Sequence, residues 1–170
     1  MKLIFISFLF AFFNTNGIHS FTITTVEGDS VALSQFQGRK MLIVNIATGS
    51  EFADQLNGLN ALQQQFGESL IVIGFPSNSF GNERRSNLQI KIICQEAYDI
   101  NFLVAERVAV AGTNITPIYQ WLTSEEENGA LDSEVQGDFQ KYLIDEQGEL
   151  IGVFKGMVSP LDEQIVSLIR

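Results

Sequence analysis

The decapeptide NIATGSEFAD, residues 45–54, joins an apolar strand to the start of a helix. Many α/β redox proteins place a reactive cysteine at such a junction. Here the position holds Ser50. A serine hydroxyl becomes a nucleophile only beside a base and an oxyanion hole. The single histidine, His19, falls in or beside an N-terminal segment expected to be removed. Neither Lys40 nor Lys141 sits in a motif that would make it a base. The plain expectation for Ser50 is a cap, its hydroxyl accepting a hydrogen bond from a free N–H of a helix that begins near Glu51, or simple exposure to solvent.

Cys94 is the only cysteine, so the chain can form no internal disulfide. It lies beside an apolar stripe of Ile90, Ile93 and Ala97, where an unpaired thiol serves as a small hydrophobe. A slowly reactive thiol or an intermolecular disulfide is the other reading. Glu125–Glu127, with Asp132 and Glu134 nearby, reads as a solvated loop, since its spacing fits no EF-hand. Arg84 and Arg85 read as loop charge, or as a clamp for an anion or a partner carboxylate. Asn114-Ile115-Thr116 is a glycosylation sequon in a eukaryotic setting. No metal or cofactor is expected.

The 170 residues suffice for one domain with a real core. Residues 1–20 differ from the rest: Lys2, then LIFISFLFAFF over residues 3–13, then the polar NTNGIHS. This is the pattern of a secretory signal peptide, with cleavage after Gly17 or Ser20, and the domain is expected over residues 21–170. The apolar run is short for a bilayer span, which takes about 20 residues, so a membrane anchor is the weaker alternative. The formal net charge is −10, and removal of Lys2 makes the domain more acidic still. Such a surface repels phosphate backbones, which argues against nucleic acid as a partner.

The elements that must position these residues are legible. FTITTVEGDSVAL predicts two short strands around a Glu-Gly-Asp turn. MLIVNIA and SLIVIGFPS are continuous apolar runs, as expected of strands covered on both faces. Phe52, Leu56, Leu59, Leu62 and Phe66 share one helical face that ends near Gly67. A second helix follows a cap at Ser86 or Asn87. FLVAERVAV predicts a strand, and TPIYQWL a short helix led by Pro117 with Trp121 packed inward near Ile118. KYLID and LIGVFKG predict a hairpin. SPLDEQIVSLIR predicts a closing helix capped by Ser159 with Pro160 in its first turn. Helices alternating with buried strands imply an α/β fold with a mixed central sheet.

These segments resemble the glutathione peroxidases, a family of the thioredoxin-fold superfamily. LIVNIATGSEFADQLNGLNAL is similar to the family's segment around the catalytic cysteine or selenocysteine. GFPSNSFGNERRSN is similar to its second signature, ICQEAYDINF to the following helix and its exit, and FQKYLIDEQGELIGVF with the SP-led helix to its end. The resemblance implies a thioredoxin-like fold and thiol-dependent reduction of hydroperoxides, a response to oxidative stress.

The resemblance also assigns four active positions. The peroxidatic cysteine or selenocysteine falls on Ser50, the catalytic glutamine on Ser79, and the tryptophan and asparagine on Gly137 and Asp138; all four side chains differ here. Cys94 falls near the resolving cysteine of thioredoxin-dependent members. The expectation is a secreted or periplasmic protein that is inactive or severely impaired as a peroxidase and serves as a binding scaffold for an unknown protein or small molecule. Thioredoxin or glutathione would be a partner only if it were active. The alternative is a weak thiol peroxidase or thiol-transfer enzyme working through Cys94. The short segment between Trp121 and Phe139 lacks room for the assembly loop of tetrameric members, which favours a monomer.

Overall fold

A computed structural model describes residues 17–170; most of the expected signal peptide, residues 1–16, lies outside the described residues. Among the described residues, burial is already complete at Ile18, three residues before Phe21, where the domain is expected to begin. Ile18 is fully buried in a short 3-10 turn, Ile18–Ser20, that packs on a second one, Leu33–Phe36.

The elements are β1 (Thr22–Thr24), β2 (Ser30–Ala32), β3 (Lys40–Ile46), α1 (Gln55–Phe66), β4 (Leu70–Pro76), α2 (Asn87–Glu96), β5 (Leu103–Val104), α3 (Pro117–Thr123), α4 (Glu125–Asn128), β6 (Lys141–Ile144), β7 (Leu150–Phe154) and α5 (Glu163–Ile169). The central sheet has the order β5-β4-β3-β6-β7. β3, β4 and β5 are parallel, and β6 and β7 form an antiparallel hairpin against β3. β1 and β2 pair as a separate hairpin. The mixed α/β fold is as the sequence predicts.

β3 is buried on both faces, so its alternate side chains feed two cores. Met41 and Ile43 join Tyr119, Trp121, Leu122 and Tyr142 on one face. Leu42, Val44 and Ile46 join Leu56, Leu59, Leu62 and Ile165 on the other. The Tyr119 ring meets Phe75 and Tyr142 edge-on, with centroids 5.6 and 6.1 Å apart.

Five local expectations are revised. The first helix begins at Gln55, not near Glu51: residues 50–57 tighten through i→i+3 bonds such as Ala53 N–H to Ser50 O at 3.1 Å before α-helical pairing takes over. The closing helix begins at Glu163, because Asp162 accepts from the Gln164 N–H and is the cap, while Ser159 caps only a preceding turn. In α2 the inward position is Cys94, and Ala97 is exposed. FLVAERVAV is mostly extended loop, since only Leu103 and Val104 find partners, Ile73 and Gly74, before the chain turns away. The acidic triplet forms the one-turn helix α4, exposed to solvent and closed by Gly129 in the left-handed conformation. Ser86 caps α2 as expected, with Gln89 reciprocating in a capping box.

One buried charge has a measurable consequence. Lys141 is fully buried, and its Nζ donates only to the carbonyls of Phe139 at 2.7 Å and Gly156 at 3.3 Å. Burial pulls its ammonium down to about 7. The unfolded chain keeps that proton to near the ordinary value of 10.5, so it binds more protons than the folded chain above pH 7. Stability contributed by this group is therefore lost as pH falls and gained as pH rises from 7. Cys94 acts oppositely: burial, then the Glu83 and Glu27 carboxylates, push its thiol up to about 11 from 9.0, which costs stability above pH 9. The usable window is pH 7 to 9. Urea denaturation should show the wild type gaining about 2 kcal/mol on Lys141→Met across that window. Parallel curves for the two proteins would contradict the assignment.

Candidate functional site

β3 and β4 end side by side at Ile46 and Pro76, and the loops that follow them form the carboxyl edge of the sheet. Ligand clefts of open parallel sheets form at this edge. Three loops meet there: residues 47–54 after β3, residues 77–86 after β4, and residues 136–139 before β6. Between them is an open cleft of about 440 Å³. Ser50, Glu51 and Phe52 line one side, Phe80 and Asn82 another, and Gln136, Gly137 and Asp138 the third.

The loops are bonded to one another. The Glu83 carboxylate is fully buried, and its Oε2 accepts from the Thr48 N–H and the Thr48 hydroxyl, each at 2.6 Å. Arg85 donates to the Thr48 hydroxyl at 3.0 Å and lies 3.6 Å from Glu83 Oε1. Arg85 is thus held in place rather than being free loop charge. Gly49 donates its N–H to Asn82 O at 3.2 Å, and a Cβ at residue 49 would come within 2.6 Å of that oxygen. Only glycine fits so close an approach. Asn82 Nδ2 in turn donates to Asp138 Oδ2 at 2.6 Å. Asn45, fully buried at the end of β3, donates to Gly137 O at 2.9 Å and accepts the Phe139 N–H on its carbonyl at 2.7 Å.

The structure brings three of the four expected positions together. Ser50 is half-buried at the cleft, and its Oγ accepts from the Phe52 N–H at 3.3 Å. It caps a turn, not the first turn of α1. Gly137 leaves space, since a Cβ there would meet nothing within 4 Å. Asp138 is 5% exposed, its Oδ1 is buried without a partner, and it makes no ion pair among the described residues. Ser79 does not join them. Its short side chain accepts from the Val110 N–H and from the Ser77 hydroxyl, both at 3.1 Å, and fastens the loop after β5.

The remaining candidates lie elsewhere. Cys94 is buried in α2 beside a separate small cavity that it shares with Val26, Phe102 and Val104. His19 packs where a Cβ on Gly148 would sit, at the β6–β7 turn, and supplies no base to Ser50. Among the described residues, no lysine, arginine or histidine lines the cleft. Among the described residues, no trio of His, Cys, Asp or Glu converges on a metal-sized site. Sequence reasoning missed Asn82 and Glu83. Both lie inside a recognisable signature, but their partners are distant in sequence and no local pattern marks them.

Comparison with known proteins agrees with this architecture. The family model described as glutathione peroxidase matches residues 18–123, which include positions 50, 79 and 94 and end before 137 and 138. The hydroperoxy fatty acid reductase gpx1 of Synechocystis sp. is 33% identical over 152 residues, covering 85% of this chain and 90% of that protein. The glutathione peroxidase-like peroxiredoxin gpx1 of Schizosaccharomyces pombe is 33% identical over 147 residues, covering 84% and 92%. The crystal structure of Trgpx in apo form superposes with a TM-score of 0.69 at 26% identity, covering 91% of this chain and 96% of that one. A thioredoxin-family thiol:disulfide interchange protein from Chlorobium tepidum shares the fold, with a TM-score of 0.66 at 18% identity, over 92% and 97% of the two chains. With its fold, its cleft-forming loops and these matches in accord, the chain belongs to the glutathione peroxidase family.

Proposed function

We propose that this chain is an exported, non-catalytic member of its family, in which the cleft that would reduce hydroperoxides serves for binding. The observation that carries the reading is the atom at residue 50. Peroxide reduction by this family's chemistry requires a thiolate or selenolate that attacks the O–O bond and becomes a sulfenic or selenenic acid, which a second thiol then reduces. Such a nucleophile must ionise near neutral pH and change oxidation state reversibly. A serine hydroxyl does neither. Ser50 Oγ is also engaged with the Phe52 N–H, and among the described residues no histidine or lysine lines its cleft. The glutamine, tryptophan and asparagine side chains implied at positions 79, 137 and 138 are likewise replaced.

The route through Cys94 has little to support it. Burial, with the Glu83 and Glu27 carboxylates, pushes its thiol up to about 11. At pH 7 the reactive thiolate is then on the order of one molecule in 10,000. Cys94 also has no second cysteine to complete a cycle. Secretion or export to the periplasm rests on residues 1–20, and a monomeric state on the short segment before Phe139.

Four outcomes test this reading. Steady-state assays with hydrogen peroxide and a lipid hydroperoxide, reduced by glutathione or by thioredoxin, should show no turnover above buffer; a rate normal for thiol peroxidases refutes it. Ser50→Cys alone should stay at least about 100-fold below a complete thiol peroxidase, because the polarising groups are still missing. Cys94 should react with a thiol reagent only after denaturation; rapid labelling of the native protein would revive the thiol route. N-terminal sequencing of the exported protein should begin at Ile18, since cleavage after Ser20 would remove a fully buried core residue; a start at Phe21 would contradict that placement.

A further inference from the structure

We propose that the cleft at Ser50 is a site for an organic cation, an alkylammonium or guanidinium head group, with Asp138 as its charge partner. The inference rests on the non-catalytic reading above, because a cleft turning over hydroperoxide would be kept for that substrate.

The lining residues select the charge. Asp138 and Glu51 are both carboxylates, and among the described residues no cationic side chain lines the cleft to neutralise them. Lys141, close in sequence, donates to the Phe139 and Gly156 carbonyls and forms no ion pair with Asp138. Asp138 is held by a single side-chain bond, from Asn82 Nδ2 to Oδ2 at 2.6 Å, and its Oδ1 is left buried without a donor. A buried carboxylate oxygen without a donor carries a desolvation penalty, which a bound N–H would relieve on a small turn of the Asp138 carboxylate toward the cleft it lines. An ammonium or guanidinium supplies a donor together with the opposite charge, and charge-assisted bonds of this kind are the strong ones.

The other walls fit the rest of such a ligand. Phe52 and Phe80 are half-buried and line the cleft, giving it an apolar aromatic wall suited to an aliphatic stem. The absence of a side chain at Gly137 leaves room for the stem beside Asp138. The acidic chain, with a net charge of −10, raises the local concentration of cations. An anion would meet repulsion from both carboxylates and from the net charge.

The test is a titration of the whole folded domain followed by amide and side-chain NMR at fixed ionic strength. The probes are n-butylammonium, the isosteric neutral 1-butanol, and N-acetyl-lysine methylamide. Butylammonium should give saturable shifts at Ser50, Gly137 and the Asn82 side-chain amide, and butanol should bind at least about tenfold more weakly. Asp138→Asn installs the residue implied by the family resemblance, so it should fold, and it should weaken butylammonium at least about tenfold. Glu51→Gln, at an exposed position, should cost about two- to threefold. The lysine derivative separates the sources: tighter binding than butylammonium supports a side chain presented by a partner protein, and equal binding supports a free amine. Absence of saturable shifts, equal binding of butanol, or an unchanged affinity in Asp138→Asn overturns the proposal, and if that variant fails to fold, the butanol comparison decides alone. Cation binding in a protein that also turns over peroxide would overturn the non-catalytic reading and leave the site; no turnover and no binding would overturn the site and leave that reading.

Discussion

Glu83 has no solvent exposure, and its carboxylate receives both the backbone N–H and the hydroxyl of Thr48. Taking a carboxylate out of water costs several kcal/mol unless donors replace the lost hydration. Here two Thr48 donors and the adjacent Arg85 replace it, and Arg107 Nη1 anchors the same loop by donating to Arg85 O at 2.8 Å. This knot joins the loop after β3 to the loop after β4. None of its bonds involves the side chain of residue 50. The loop geometry is therefore independent of whether that side chain ends in sulfur or oxygen. That independence explains how the loop frame can stand around a serine at residue 50.

The third loop is tied in separately. Asn45 clamps it from the end of β3 through Gly137 and Phe139, and Asn82 reaches across to Asp138. Phe139 adopts a φ of 60°, a left-handed conformation that costs a non-glycine residue roughly 1–2 kcal/mol. Its fully buried ring and its bond to Asn45 O offset that strain. The kink lets the Asp138 side chain border the cleft while the next ring enters the core. Gly156 completes the support, because any Cβ there would collide with the Asp138 carbonyl. The cleft is thus a built feature with an acidic wall, although it lacks a nucleophile capable of redox chemistry.

Much of this was legible in the chain. β3 and β4 announce themselves because strands covered on both faces must be apolar throughout, and the closing hairpin because a Gln-Gly turn separates two apolar runs. Helix starts were less legible. Ser50 and Ser159 are good caps by residue type, yet each caps a turn ahead of the helix, since tertiary packing fixes where α-helical pairing begins. The placement of Ser50, Gly137 and Asp138 about one cleft followed from the family resemblance. Ser79 did not follow: a side chain too short to cross the loop bonds to the nearest backbone donor, Val110. Glu83 was invisible because its burial depends on Thr48, 35 positions away, and nothing in GNERRS distinguishes a buried carboxylate from a solvated one. The same holds for the unpartnered Asp138 oxygen, a property of three loops together.

The central claim is that an oxygen atom at residue 50 leaves the protein unable to accept the electrophilic oxygen of a peroxide. Its most direct measurement is a single-turnover one: fully reduced protein is mixed with an equimolar amount of hydrogen peroxide, and the remaining peroxide is followed by rapid quench. The account predicts that peroxide decays no faster than in buffer. Rapid consumption of one equivalent, with sulfenic acid appearing on the protein, would contradict it.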